Sequence, residues 1–419
     1  MFTPREVFSH QTPGSLATLA RDAEDDAAAG SAEAAGAGVG GVALTPIIAW
    51  LKAGEGPVDG FHQSVVVQVP ADLSVESLTG AVRAVVDHHD ALRLRLAVDD
   101  AGEWSLEVGA PGSVAVDACV MRVDAAGLDD AALDELTAGQ AAAARERLAP
   151  AEGRMLQVVW LDRGRAVPGR LLLVVHHLAV DGVSWRILLP DLAVAWSAVT
   201  AGRPVELEPV GTSFRTWARM LAEEAAKPER ADELALWADI LMSSDVPLGT
   251  RALDPARDTT EHAGHTTVSL PVGVTEALLT SVPAAFHGKV NDVLLAGLAL
   301  AVSRWRELRG VDAPGVLVDL EGHGREELAG ADLSRTVGWF TSVHPVRLEP
   351  GAVAWDALVS GDPAVGGVVK RVKEQLRRIP DNGLGYGLLR YLNPKTVPEL
   401  ASYGSPQIAF NYLGRMGTG

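Results

Sequence analysis

Five consecutive apolar residues, Leu171 to Val175, run directly into two adjacent histidines. Successive side chains of a strand point to opposite faces, so a strand apolar at every position must be covered on both sides. This segment is therefore a buried central strand. The run before it, Met155 to Leu161, is joined to it by DRGRAVPGR, whose Gly and Pro mark a reversal and predict a β-hairpin. Whatever else the chain builds, its first half is organised around this pair.

The rest of the chain interleaves helical and extended patterns. Leu78, Ala81, Val82, Val85 and Val86 share one helical face, with Ser74 as the predicted cap. ALRLRL, Ala91 to Leu96, has the period of a half-exposed strand. The mixed-charge stretch Leu221 to Glu233 predicts a solvated helix. Asn291 to Trp305 predicts an apolar helix capped by Asn291 or Asp292, Val316 to Leu320 a buried strand, and Val365, Val368, Val372 and Leu376 another helical face. Gln407 to Tyr412 predicts a late strand. Such interleaving indicates mixed α/β architecture. A boundary between two lobes is placed near residue 212. Asp25 to Gly41, rich in Ala and Gly without apolar periodicity, has the composition of a linker, and the globular body begins near Leu44.

Charge and cysteine content narrow the function classes. The formal net charge of -18 is spread along 419 residues, which argues against a nucleic-acid partner. Cys119 is the single cysteine, so neither an internal disulfide nor an all-cysteine metal site can form. The longest apolar stretches, such as Val293 to Val302, are about half of the ~20 residues a membrane helix needs. The N-terminal FTPRE lacks the pattern of a secretory signal. A cytoplasmic protein with small-molecule or protein partners, and no membrane partner, is expected.

The most informative chemistry follows the central strand as HHLAVDG, His176 to Gly182. A strand end delivers a side chain rigidly to a sheet edge, and histidine exchanges protons near neutral pH with little tuning. Asp181 and Gly182 suit a tight turn in which the carboxylate braces the loop. A metal site fails on ligand count, because neighbouring histidines on a strand diverge and no third ligand stands nearby. EGHGREE, Glu321 to Glu327, again follows a buried strand, with Glu321 at its end and glycines flanking His323. RTVGWFTSVHPV, Arg335 to Val346, runs from loop into strand. DNGLGYG, Asp381 to Gly387, is rich in glycine but lacks the Lys and the following Ser or Thr of a nucleotide-cradling loop. FNYLG spans Phe410 to Gly414.

Taken together, these segments resemble the condensation-domain superfamily of nonribosomal peptide synthetases, and within it the epimerization branch. The superfamily's HHxxxDG appears as HHLAVDG; VSWRILL, EGHGRE, TVGWFTS followed by PV, GLGYGLLRYL and FNYLG resemble the epimerization versions, and TPIIAWL, Thr45 to Leu51, resembles the entry motif. HHxxxDG alone is shared by several acyl-transferring relatives, whereas EGHGRE with TVGWF and FNYLG is more selective. The N-terminal segment, residues 1–22, is similar to the end of a peptidyl carrier domain. The resemblance divides the chain into that remnant, a linker at 23–43, an N-terminal lobe at 44–212 and a C-terminal lobe at 213–419. Two departures stand out: Pro190 falls inside the helix after the histidine motif, where it should kink or interrupt it, and the family usually continues for tens of residues beyond FNYLG, so the C-terminal lobe is expected to be truncated.

The resemblance implies two lobes of chloramphenicol-acetyltransferase type meeting in a V. It also implies a substrate presented as an aminoacyl or peptidyl thioester on the 4'-phosphopantetheine arm of an upstream carrier domain, with other synthetase modules as further partners and no cofactor bound directly. Loss of the α-proton from a thioester gives an enolate delocalised onto its carbonyl; one group must remove that proton and another return one to the opposite face. His177 and Glu321 take these roles in either order. His176 and Asp181, with Gly182, would hold the loop, and Trp185, Tyr386 and Asn411 would line or position the substrate. A condensation domain, which would use His177 in amide formation, and a non-catalytic docking module of the same fold are the competing readings.

Overall fold

The computed structural model describes residues 33–414, apart from 35, 55, 243–245, 252, 255, 314 and 329. The expected carrier remnant at 1–22 and the first part of the linker lie outside the described residues. The chain forms two compact units: one runs to Glu223 and adds Glu327–Phe340, and the other comprises Glu224–Glu326 with the residues from Thr341 onward. Both mix helices with sheet, which makes the fold class mixed α/β, as the interleaved patterns indicate.

In the first unit, β2 (His62–Val69), β5 (Val120–Asp124), β6 (Leu156–Asp162) and β7 (Gly169–His176) form a sheet in the order β2-β7-β6-β5. β6 and β7 are the expected hairpin, antiparallel with Leu156 opposite Val175. β7 is central, and Leu171 to His176 are all buried. The helix Val75–His88 buries Leu78, Ala81, Val82, Val85 and Val86, and the Ser74 hydroxyl caps it by accepting from the Ser77 N–H at 3.0 Å. A smaller sheet contains β1 (Gly40–Val42), β3 (Leu94–Val98) and β4 (Trp104–Val108) in the order β1-β4-β3.

Four expectations for this half are corrected. Gly40–Val42 is a strand paired with β4, so linker character does not extend to residue 43. Ala91 to Arg93 belong to a 3-10 turn, and the strand begins at Leu94. Pro190 does not interrupt its helix, which runs from Trp185 to Thr200; the proline is exposed. The boundary near 212 is too early, and the chain returns: Phe214 and Trp217 are fully buried against Phe340, their ring centroids 5.5 and 6.2 Å away, and the Phe214 N–H donates to Asp90 at 2.9 Å and the Phe340 N–H to Asp181 at 3.2 Å, so residues 213–223 and 327–340 belong to the first unit.

In the second unit, β8 (Val316–Gly322), β9 (Ser342–Leu348) and β10 (Ile408–Phe410) form a sheet in the order β10-β8-β9. Val316, Val318, Val346 and Leu348 pack with Leu295, Ala296 and Ala299 of the helix Val290–Glu307 and Val368, Val369 and Val372 of the helix Ala364–Arg377. Leu317 packs with Trp237, Tyr386 and Leu389 in a second cluster; it alternates with Val316 and Val318, so the two cores cover the two faces of β8. The helix Val290–Glu307 is capped earlier than expected, by two residues from Asn291 and three from Asp292: Lys289 is the cap residue, and Asp292, at the third helical position, accepts from its N–H at 2.7 Å. The stretch to Glu233 is less solvated than its charges suggest. Arg230 is buried, and its guanidinium donates to Glu224, Glu233 and Asp381. Among the described residues no single helix is long and apolar enough to cross a membrane, although one sharply bent helix pair passes by length and composition.

Candidate functional site

The two histidines at the end of β7 have different environments. His176 is fully buried; its Nε2–H donates to the Val58 carbonyl at 2.8 Å, and its Nδ1 accepts from the Leu178 N–H at 3.2 Å. Both nitrogens are therefore committed, and burial pulls its pKa down to about 4. This is a structural histidine. His177 begins the 3-10 turn after the strand. Its ring stacks on Phe61, centroids 4.7 Å apart and 10° from parallel, and meets Trp339 at 4.7 Å and 52°. Its Nε2 lies 2.9 Å from the Gln63 side-chain amide nitrogen, while its Nδ1 is buried. Burial is the largest effect on its pKa, which falls below the ordinary histidine value; the Asp181 carboxylate opposes this. His177 is thus held as a neutral imidazole in an aromatic box.

Asp181 braces the loop. Its Oδ1 accepts from the Ser184 N–H at 2.8 Å and from the Ser184 hydroxyl at 2.7 Å, and its Oδ2 accepts from the Phe340 N–H at 3.2 Å. The Ser184 hydroxyl oxygen also lies 3.0 Å from the Gly338 carbonyl, an alternative acceptor for its single proton, and accepts from the Gly338 N–H at 3.2 Å. These contacts latch TVGWF onto HHLAVDG and carry Trp339 to the His177 ring. The close approach requires Gly338, because a Cβ there would overlap the Phe214 ring. Gly182 is exposed, and a Cβ there would meet nothing within 4 Å, so its turn carries no steric demand for glycine. Trp185 donates its indole N–H to Gln63 Oε1 at 2.8 Å and lines a small apolar cavity with Val85, Leu173, Val175 and Leu188.

A further buried group anchors the returning segment. Asp191 accepts from His89 Nε2 at 2.8 Å and from Arg335. Although ligating atoms of His88, His89 and Asp191 lie within 4.8 Å of one another, the Asp191 oxygens already serve these two partners.

In the second unit, Glu321 stands one residue before the end of β8. It is half-buried, has no hydrogen-bond partner among the described residues, and its pKa is raised by burial. Asp319, two residues earlier on the same face, interrupts an apolar strand, a signal in the sequence that points to a functional carboxyl before Glu321 only once its surroundings are known. Its flanking positions are Pro345 on β9 and Ala409 on β10, neither of which offers a side-chain donor, and burial pushes its pKa up to about 6. Tyr386 is buried beside Trp237, centroids 5.4 Å apart, in a short helix Leu384–Gly387 and not in an open loop; burial raises its phenol well above the ordinary value, with smaller contributions from Tyr391 and Asp319. Asn411 is exposed just after β10. His344, from the same motif as Trp339, is buried; a Cβ on Gly383, whose φ is +84°, would overlap its ring.

The structure therefore brings His177, Asp181 and Trp185 into one hydrogen-bonded neighbourhood of the first unit, and sets Glu321 and Tyr386 on or against β8 in the second. Phe61, Gln63 and Trp339 complete the first group. Sequence pattern did not select them, because a strand residue and an aromatic carry no chemistry until a partner is known.

These features define the class: a mixed α/β protein with a histidine pair closing its central strand. The condensation domain family model matches residues 54–417, and the chain belongs to that family. A linear gramicidin synthase polypeptide of Brevibacillus parabrevis is 39% identical over 424 residues, covering 99% of this chain and 5% of that protein. A plipastatin synthase polypeptide of Bacillus subtilis (strain 168) is 30% identical over 430 residues, covering 99% of this chain and 11% of that protein. The chain thus spans a small fraction of the length of these curated relatives. Among solved structures, the epimerization domain from the third module of tyrocidine synthetase B matches with a TM-score of 0.75 and 32% identity, over 90% of this chain and 80% of that one. The first condensation domain of the calcium-dependent antibiotic synthetase matches with a TM-score of 0.63 and 19% identity, over 90% and 81%, a likeness of fold alone.

Proposed function

We propose that this chain is the epimerization domain of a nonribosomal peptide synthetase, inverting the α-carbon of an aminoacyl or peptidyl thioester presented on the phosphopantetheine arm of a carrier domain. The observation that carries the reading is Glu321: a half-buried carboxyl at a strand end, without a hydrogen-bond partner among the described residues, and with its pKa raised. Burying a carboxylate without compensation costs stability, so such a group is more readily accounted for by chemistry than by packing. Inversion needs two proton-exchanging groups, and environments that move two pKa values in opposite directions suit that division. His177 is pushed towards the free base and Glu321 towards the acid. Amide formation has no use for the second group, and a docking module has use for neither. The likeness to a solved epimerization domain supports the same choice.

His177 and Glu321 exchange the proton, one removing it and the other returning one, while His176 and Asp181 keep the loop in shape. The test is uptake of solvent deuterium at the α-carbon of a loaded carrier. Glu321→Gln and His177→Ala should each lower uptake by at least about 100-fold, the lower range for a general acid or base, with carrier binding unchanged. Full exchange in both variants would reject the assignment. Formation of a joined product from two loaded carriers, without exchange, would favour the condensation reading.

A further inference from the structure

The hydrogen-bond chain Trp185–Gln63–His177 has a direction. An indole N–H can only donate, so the Gln63 group facing Trp185 must be its carbonyl oxygen, 2.8 Å away. The other end of the same amide, its NH2, then faces His177 Nε2 at 2.9 Å. An amide NH2 can only donate, so Nε2 must supply a lone pair and the ring proton must sit on Nδ1. Protonating Nε2 would set N–H against N–H. Rotating Gln63 to relieve that clash would set its NH2 against the indole N–H of Trp185. Either arrangement sets two donors face to face within the packed first unit, whereas the Nδ1–H tautomer leaves a single buried donor without a partner among the described residues.

We infer that Gln63, oriented by Trp185, is a positioning residue that fixes His177 as the neutral Nδ1–H tautomer and opposes its protonation. This deepens the epimerase reading and rests on it for its purpose: Nε2 is the ring's one acceptor, the Gln63 N–H occupies it in this structure and must be displaced before Nε2 takes a proton, and the imidazolium, once formed, is pressed to give it up. An enzyme that moves a proton both ways gains from an acceptor that does not retain it. The charged or titratable groups around the imidazole are Asp181 and His176 on its own strand and loop, which act in opposite senses, and His62 on β2, which also disfavours the cation. Phe61 and Trp339, which pack on the ring, carry no charge.

The experiment is a pH titration of the histidine ring nitrogens by 15N NMR on the 419-residue chain, with the His177 signals assigned by their loss in His177→Ala. The wild-type ring should report the Nδ1–H tautomer and titrate below 6.5. Trp185→Phe frees Gln63 to turn its oxygen to Nε2, and should shift the ring towards the Nε2–H tautomer. Gln63→Glu places a carboxylate at Nε2 and should raise the pKa by about one unit or more. Gln63→Leu removes the donor without adding charge and should raise it by less. Far-UV circular dichroism identifies any variant that fails to fold, and the remaining variants decide. An Nε2–H tautomer in the wild type, or a His177 titration unmoved in every folded variant, overturns the inference. Absence of α-proton exchange in the wild type would instead count against the epimerase reading while leaving the tautomer result standing.

Discussion

Replacing Asp319 with Asn should stabilise the protein, and by an amount that depends on pH in a defined direction. Asp319 has no hydrogen-bond partner among the described residues, and burial raises its pKa from 3.8 to about 6. The folded state therefore retains a proton that the unfolded chain releases, so stability falls as pH rises from about 4 to about 6 and stays lower above that window. The shift of roughly two units corresponds to a ceiling of roughly 3 kcal/mol at ~1.36 kcal/mol per unit. Because the side chain is only half-buried, a gain of about 1–2 kcal/mol is expected at pH 8. Asparagine keeps the shape and removes the charge. Urea unfolding at pH 8 and pH 4, analysed with a common slope, measures the difference. The Asn variant should exceed the wild type at pH 8 and match it near pH 4. A variant no more stable at pH 8, or equally more stable at both pH values, would show that the carboxylate is compensated in a way the structure does not contain, and would refute the reasoning. Exchange of the α-proton measured alongside tells whether this destabilising charge serves the reaction.

Other perturbations follow from the same geometry. Gly383→Ala combines a left-handed backbone with a Cβ driven into the His344 ring, and should lower the urea midpoint by the equivalent of about 2 kcal/mol or more; a wild-type midpoint would contradict this. Gly338→Ala drives a methyl group into Phe214 and should dislodge Trp339 from His177, seen as altered tryptophan fluorescence and a raised His177 pKa; an unchanged His177 titration would count against it. Histidines 176 and 344 are held near 4 against 6.5 in the unfolded chain, so each contributes stability that is present above pH 6.5 and is lost as pH falls towards 4. His344→Gln should flatten that slope, and an identical pH dependence of stability would argue against a buried neutral imidazole.

Much of the fold was legible because hydrophobic burial leaves a local pattern. LLLVV could only be a central strand, the reversal before it could only close a hairpin, and the apolar face from Leu78 to Val86 could only be a helix against a core. Each was found where it was expected. Local pattern failed where distant residues intervened. Nothing near residue 212 shows that Phe214 and Trp217 will be buried against Phe340, or that Glu327–Phe340 will return to the first unit. Charges around Arg230 suggested solvent until Asp381, 151 residues later, helped to enclose it.

The candidate site divides in the same way. Sequence by itself determined that two histidines end a buried strand, that a carboxyl ends another, and that Asp181 sits where it can brace a turn, because these follow from residue type and short spacing. Only the tertiary structure decided which nitrogen of His177 carries a proton. Gln63 lies 114 residues from His177 and 122 from Trp185, and a hydrogen bond has a direction only once both partners are in place.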